Sequence, residues 1–440
     1  MEGVYIGDCG KKIGLNNKDE GFLIFRNARV PRENLLDRYC KVNNKGEYKS
    51  LLKTQNDRFG FMIGSIMNET RIFTANRSLL NLMKGLLITT RFVCSRRQFH
   101  KEIIKNNEKK MGPETPIIEY ELTQYRLMPY LAGSVILKIA TRRLHDKFDE
   151  NRHLLLDFNN PKMVEMHAVI CAMKAISTWY SKNGLSNFRE LCGGLGYSHY
   201  NRIGEIYNDN NVNIVWEGDN YVLLQQSARY ILDYYNNLKT KNYKPEEFEL
   251  LSFLKKEDLN TSKPIYFIQE KKDFLNPKFL LQIFEKRFAF VLLNSVKEFN
   301  KNIEKTRDIF TAWNLSQVNH LKELSIIFGE LFIMKENLIE INNVNLDKDS
   351  SKIIRKLFTL WALNLIYEKI ELNFHFFNKT QIKDLKDVII ELCFELKDKC
   401  ISIVETFNFP DEILNSPIGL KSGDIYGEFL KKIKLINARL

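Results

Sequence analysis

Between Leu191 and Tyr230 the chain reads LCGGLGYSHYNRIGEIYNDNNVNIVWEGDNYVLLQQSARY, and two features of this stretch are suited to chemistry. Cys192-Gly193-Gly194-Leu195-Gly196-Tyr197 leaves backbone amides uncovered by Cβ atoms, which suits a tight corner or the close approach of a phosphate or a flat ring. Twenty residues after Tyr197 stands Glu217, preceded by Ile214, Val215 and Trp216 and followed by Gly218-Asp219-Asn220. A carboxylate flanked by aromatic and aliphatic side chains just before a helix is disfavoured as an anion, so it can act as a base near neutral pH. A helix cap or a paired surface residue leaves the same trace in a sequence.

Four other groups of residues could carry chemistry. Arg91-Phe92-Val93-Cys94-Ser95-Arg96-Arg97-Gln98-Phe99 clusters arginines with aromatics, as a phosphate-binding patch or a basic helix end facing water would. Arg71 sits inside an apolar helical run, and a lone arginine there reads equally as a solvated or paired residue. His145, His153 and His167 share no metal-ligand spacing, so no metal is expected. The seven cysteines form no CxxC pair and are odd in number, which points to reduced thiols in an intracellular compartment.

These residues need elements to position them. Residues 1–50 are rich in Gly, Asn and Asp, with strand patterning in Gly21–Pro31 and a turn at Asn44-Lys45-Gly46. Helical spacing begins near Asp57, with Met62, Ile63 and Ile66, then Leu79, Leu80, Leu82, Met83, Leu86 and Leu87. A polar loop from Lys105 to Pro116 follows, then helices over 133–150, 161–183 and 221–239. Together they predict an antiparallel bundle whose loops bring Gly193, Gly194 and Glu217 towards one cavity. Lys239 to Pro264 is polar and reads as part of a linker, after which helical periods with Phe-rich core stripes return. The division is therefore 1–50, a β fragment; 57–240, a helical domain; 241–276, a linker; and 277–440, a second helical domain. The fold class is mainly α.

With 66 Lys+Arg against 54 Asp+Glu, the net charge is +12, which favours anionic partners without choosing among them. A nucleic-acid binder would interleave aromatics along a surface groove; periodic apolar stripes argue against one. No run approaches the length of a membrane span, so no membrane association is expected.

Taken together, CGG-x-GY, WEGDN, LLQQSARY, the Arg96-Arg97-Gln98-Phe99 run and Glu119–Ala132 resemble the flavin-dependent acyl-CoA oxidases of peroxisomes, most of all the branched-chain (pristanoyl-CoA) type. The resemblance extends to Gly7–Gly14, Val30–Leu36 and Phe409–Gly419 and covers nearly the whole chain. It implies an oxidase helical bundle followed by a second helical domain, preceded by the tail of a β-domain whose N-terminal companion is lacking. It implies FAD as cofactor, held through Arg96, Gln98, Phe99, Gly193 and Gly194. The first three would touch the FAD of a neighbouring subunit, hence a homodimer. Glu217 would remove the α-proton of a fatty acyl-CoA, with Arg71 and Tyr197 on the substrate side and O2 as the final oxidant. Leu195 and Trp216 depart from the family's usual His and Tyr/Phe, and Glu69-Thr70-Arg71 from its Ser-Gly-Arg. The ending Ala438-Arg439-Leu440 resembles the peroxisomal address read by an import receptor. The competing reading is a truncated, non-catalytic relative that serves as a dimerisation or acyl-CoA-binding scaffold.

Overall fold

The computed structural model describes residues 2–61, 67–105, 108–155, 157, 160–240, 250–254, 270–373 and 376–433. Met62, Ile63, Ile66, most of the linker and the Ala438-Arg439-Leu440 ending lie outside these residues.

Two short hairpins open the chain: β1 (Val4–Asp8) with β2 (Gly21–Phe25), and β3 (Cys40–Val42) with β4 (Tyr48–Ser50). After α1 (Gln55–Phe61) comes the 28-residue α2 (Asn68–Ser95). A third hairpin follows, β5 (Arg97–Lys105) with β6 (Glu108–Pro116), in antiparallel register from Arg97 opposite Pro116 to Lys105 opposite Glu108. The expected basic helix end and polar loop are thus a β-hairpin. Ile103 and Ile104 favour extended backbone, Phe99 falls at a register shift with φ +60°, and Pro113 lies outside the paired register, where no ladder donor is lost.

The bundle consists of α2, α3 (Glu121–Glu150), α4 (Pro161–Leu191) and α6 (Asn220–Thr240), with the short α5 (Ile203–Asn211) between α4 and α6. Asn160 caps α4 by accepting from the Lys162 amide, with Pro161 at the first helical position. Side-chain pairs set the directions. Gly133 of α3 lies under Tyr180 of α4, and Arg126 meets Asn187, so α3 and α4 are antiparallel. Ser227 of α6 donates to the Ala168 carbonyl and Asn220 donates to Thr178, so α4 and α6 are antiparallel too. Helices α2 and α4, on alternate turns of the bundle, run parallel: Arg71 faces Cys171, Gly85 faces Leu185, and Thr89 faces Cys192. Gly133 is required where it stands, since a Cβ there would come within 2.1 Å of the Tyr180 hydroxyl, which donates to the Pro129 carbonyl at 2.7 Å.

The second helical set is α7 (Pro277–Thr306), α8 (Ile309–Ser316), α9 (Lys322–Asn343), α10 (Lys348–Glu368), α11 (Ile370–Asn373), α12 (Lys379–Lys397), α13 (Cys400–Glu405), α14 (Asp411–Leu414) and α15 (Ile425–Lys432). Its Phe-rich stripes are core: Phe284 lies against Trp361 and Phe288 against Phe328. Helix α9 packs on α3, α4 and α6, with Gly329 against Ala172 and Ile176, so one apolar core runs through both helical sets. Fully buried Glu330 is held below its usual carboxylate range because Arg287 and Lys369 outweigh the cost of its burial. Arg91 of α2 is a polar staple between the sets, bonded to Glu405 (2.7 and 2.9 Å), Asp411 (2.7 Å) and the Gly419 carbonyl (2.8 Å). Among the described residues no helix is long and apolar enough to cross a membrane.

Candidate active site

Glu217 sits on a turn that the chain does not adopt freely. Its φ is +56° and that of Gly218 is +106°, so two successive residues take left-handed backbone, which costs a side-chain-bearing residue on the order of 1 kcal/mol or more. The surroundings hold the turn there. Arg71 of α2, 4% exposed, donates from Nε to the Glu217 carbonyl at 2.9 Å. Lys174 of α4, fully buried, donates from Nζ to the Gly218 carbonyl at 2.8 Å and to Asn220 Oδ1 at 2.9 Å. Asp219 then caps α6 by accepting from the amides of Tyr221 and Val222. On the other side the Trp216 ring lies under the cations of Arg77 (5.1 Å) and Lys18 (5.3 Å), a use of the larger indole where the family has Tyr or Phe.

Glu217 as a residue is half-buried, and its Oε2 accepts from the Thr70 hydroxyl at 2.7 Å in an exposed hydrogen bond. Sequence predicted aliphatic and aromatic neighbours; its partner is instead the Thr70 hydroxyl, while Trp216 lies under Arg77 and Lys18. Thr70, which departs from the Gly that the resemblance leads one to expect, supplies that hydroxyl.

Sequence reasoning missed a polar seam on α4. His167, Cys171, Lys174 and Thr178 recur at four-, three- and four-residue spacing within an otherwise apolar helix, the signature of one face. In the structure that face meets α2 and the Glu217 turn. His167 Nδ1 lies 2.8 Å from Asn68 Oδ1 and its Nε2 lies 3.7 Å from Cys171 Sγ. Burial, helped by the Arg71 charge, pushes the His167 imidazole down to about 4. Burial likewise pulls the Lys174 ammonium down to about 8, opposed by Asp219 and Glu217 and reinforced by Arg71. Burial holds the Cys171 thiol protonated, up to about 12.

The glycine corner lies elsewhere, and the expectation of one shared cavity is corrected. Gly193 follows the last turn of α4, nineteen residues beyond Lys174, which is about 28 Å of helix at 1.5 Å per residue. The return segment is not a compact loop. It contains α5 and a further helical turn at Val212–Ile214, and these run the chain back along α2, where Ser78 donates to Asn210. The corner shares its end of the bundle with the arm at the end of α2. Gly193 and Gly194 have nothing within 4 Å of where a Cβ would stand, leaving their peptide faces open. Phe99 is 67% exposed with φ +60°, Gln98 is exposed with its carbonyl accepting from the Tyr120 hydroxyl, and half-buried Arg96 lies over the Tyr426 ring at 5.7 Å. Tyr197, 91% exposed, borders a cavity of about 1,020 Å³ between this corner, α5 and the Lys11–Lys18 loop. The candidate residues therefore form two groups: Arg71 with Glu217, and Arg96, Gln98, Phe99, Gly193, Gly194 and Tyr197.

Comparison with known proteins gives the family of the chain. The model described as acyl-CoA oxidase, C-alpha1 domain, matches residues 65–232, and that described as acyl-CoA oxidase matches residues 276–438. The chain belongs to the acyl-CoA oxidase family. Peroxisomal acyl-coenzyme A oxidase 3 of Homo sapiens is 30% identical over 457 residues, covering 99% of this chain and 63% of the human protein. Acyl-coenzyme A oxidase 2, peroxisomal, of Arabidopsis thaliana is 32% identical over 446 residues, covering 98% and 61%. Among solved structures, acyl-CoA oxidase from Lycopersicon esculentum superposes with a TM-score of 0.87 at 23% identity, covering 100% of this chain and 65% of that one. Acyl-CoA oxidase-1 of Caenorhabditis elegans, complexed with FAD and ATP, gives 0.84 at 25%, covering 99% and 63%. The chain thus spans less than two thirds of the length of these relatives.

The second group fits a flavin dinucleotide in kind. Two glycine peptides with no side chain over them admit a flat or anionic group, Phe99 offers an exposed ring face, and Arg96 offers a cation for a pyrophosphate. Among the described residues no group of three or more His, Cys, Asp and Glu gathers as a metal site would require.

Proposed function

We propose that this chain acts in the FAD-dependent oxidation of fatty acyl-CoA to trans-2-enoyl-CoA, with O2 reduced to H2O2, as in peroxisomal fatty acid β-oxidation. Branched acyl chains fall within the proposed substrate range, and Ala438-Arg439-Leu440 would be the import address. Bound FAD would accept the hydride from the β-carbon and return the electrons to oxygen. The chain's own part is the proton: Glu217 would take the α-hydrogen of the thioester while Arg71 and Lys174 keep its turn in place. Arg96, Gln98, Phe99, Gly193 and Gly194 would hold FAD, and Tyr197 would face the substrate. The working unit would be a homodimer. Within it, residues 57–240 would carry the flavin and substrate motifs, 1–50 a β-domain fragment, and 277–440 the second helical domain beyond the 241–276 linker.

The observation that carries this reading is the Glu217 carboxylate, fixed on a left-handed turn by donors from two different helices. A carboxylate used only as a cap needs no such support, and here Asp219 already caps α6. The test is Glu217→Gln in FAD-loaded protein, assayed for acyl-CoA-dependent peroxide. A fall of at least about a hundredfold in kcat is expected for loss of a general base. Unchanged peroxide formation removes Glu217 from the role. A wild-type chain that neither retains FAD nor makes peroxide favours the scaffold reading.

A further inference from the structure

We propose that Lys174 is the positioning residue for Glu217, fixing the direction of its carboxylate by clamping the peptide that follows Gly218. The inference rests on Glu217 being the base and adds a residue that touches neither substrate nor flavin.

Two consecutive peptide planes leave Glu217, and each is held by a different buried cation. The carbonyl of Glu217 belongs to Arg71 on α2, and the carbonyl of Gly218 belongs to Lys174 on α4. Both carbonyls turn inward, to donors on α2 and α4, rather than outward to water. An inward carbonyl without a donor loses its hydration with nothing in return, so the clamp decides whether the turn closes. Lys174 also ties the turn to the first residue of α6 through Asn220 Oδ1, and Asn220 Nδ2 donates onward to Thr178 of α4 at 2.9 Å. Glu217 is thereby fixed against both α4 and α6. A methionine in place of Lys174 fills nearly the same volume and deletes the donor together with its charge, whereas Lys174→Gln deletes the charge and keeps a donor.

Because 174 lies outside the reacting atoms, its effect is one of geometry, and it is read without flavin as well as with it. In the flavin-free chain, hydrogen–deuterium exchange across residues 212–223 is expected to quicken about tenfold in Lys174→Met, with exchange in α9 unchanged. In FAD-loaded protein, kcat for acyl-CoA-driven peroxide is expected to drop ten- to a hundredfold, with KM within threefold and flavin content intact. Lys174→Gln keeps an N–H donor on a side chain one bond shorter and should recover part of both effects; it also serves if Lys174→Met does not fold. Unchanged exchange across 212–223 overturns the clamp whatever the activity. Unchanged kcat despite quickened exchange overturns the positioning role. Activity that survives Glu217→Gln sinks the assignment of the base instead, and leaves the exchange result to judge the clamp separately.

Discussion

His167 should make this protein lose stability in mild acid by an amount that can be worked from its surroundings. Its Nδ1 meets Asn68 Oδ1, its Nε2 meets the Cys171 thiol, and the Arg71 guanidinium stands 3.9 Å from that same sulfur. A second proton would have to be taken up out of water between α2 and α4 and beside a cation, so the imidazole falls from its ordinary 6.5 to about 4. Between those values the unfolded chain binds more protons than the folded one, so this contribution is whole above pH 6.5 and drains away as pH falls towards 4. A shift of that size amounts to roughly 3 kcal/mol in full, of which roughly 2 kcal/mol is already lost at pH 5. The assay is urea unfolding at pH 7 and pH 5 for wild type and His167→Gln, which stays neutral throughout. The gap between the two proteins should shift by about 2 kcal/mol against the wild type on acidification. A gap that is the same at both pH values refutes the reasoning, since it would mean that the imidazole is protonated as easily inside as outside.

Gly218→Ala puts a side chain at φ +106° with its Cβ 2.9 Å from Leu223 Cδ2 and should cost roughly 1–3 kcal/mol in a urea titration, with peroxide formation falling further than stability does. Arg91→Met removes four hydrogen bonds between α2 and the C-terminal segment and strands Glu405 and Asp411, each about a third exposed. That partial exposure reduces the loss from what a fully buried pair would show, to roughly 2 kcal/mol by urea midpoint.

Most of the fold is legible because helix periodicity in this chain is strong: the 79–87 run, the 133–150 and 161–183 spans and the Phe-rich stripes all become buried helix faces. The β5–β6 hairpin is not, because its basic residues and two prolines mask a strand pattern that shows only on pairing. In the candidate site, the motif singles out Glu217 and the resemblance, not helix position, singles out Arg71; the structure brings these two together. Lys174 is hidden because a lysine in an apolar helix reads as a surface interruption until its carbonyl partners, 44 residues away in sequence, are brought beside it. The separation of Glu217 from Gly193 is also hidden. Loop length says nothing of whether a 25-residue connection folds back on itself or, as here, travels the length of a helix.

That separation turns into a test of how the site is shared. Arg71, which holds the Glu217 carbonyl, and Arg96 begin and end the same helix, about 38 Å apart along its axis, so Glu217 and the Arg96 arm of one chain lie at different places. The two assignments are compatible only if the arm of one copy completes the site of another. Glu217→Gln and Arg96→Met should each be nearly inactive alone. When the two are unfolded and refolded together, half of the dimers pair one of each, and in those one site receives both an intact base and an intact arm. Mixing should then restore about a quarter of wild-type peroxide formation, as two-fold sharing requires. No recovery in refolded, flavin-loaded mixtures would place Arg96 and Glu217 in the service of the same chain's site, contrary to the length of the helix between them.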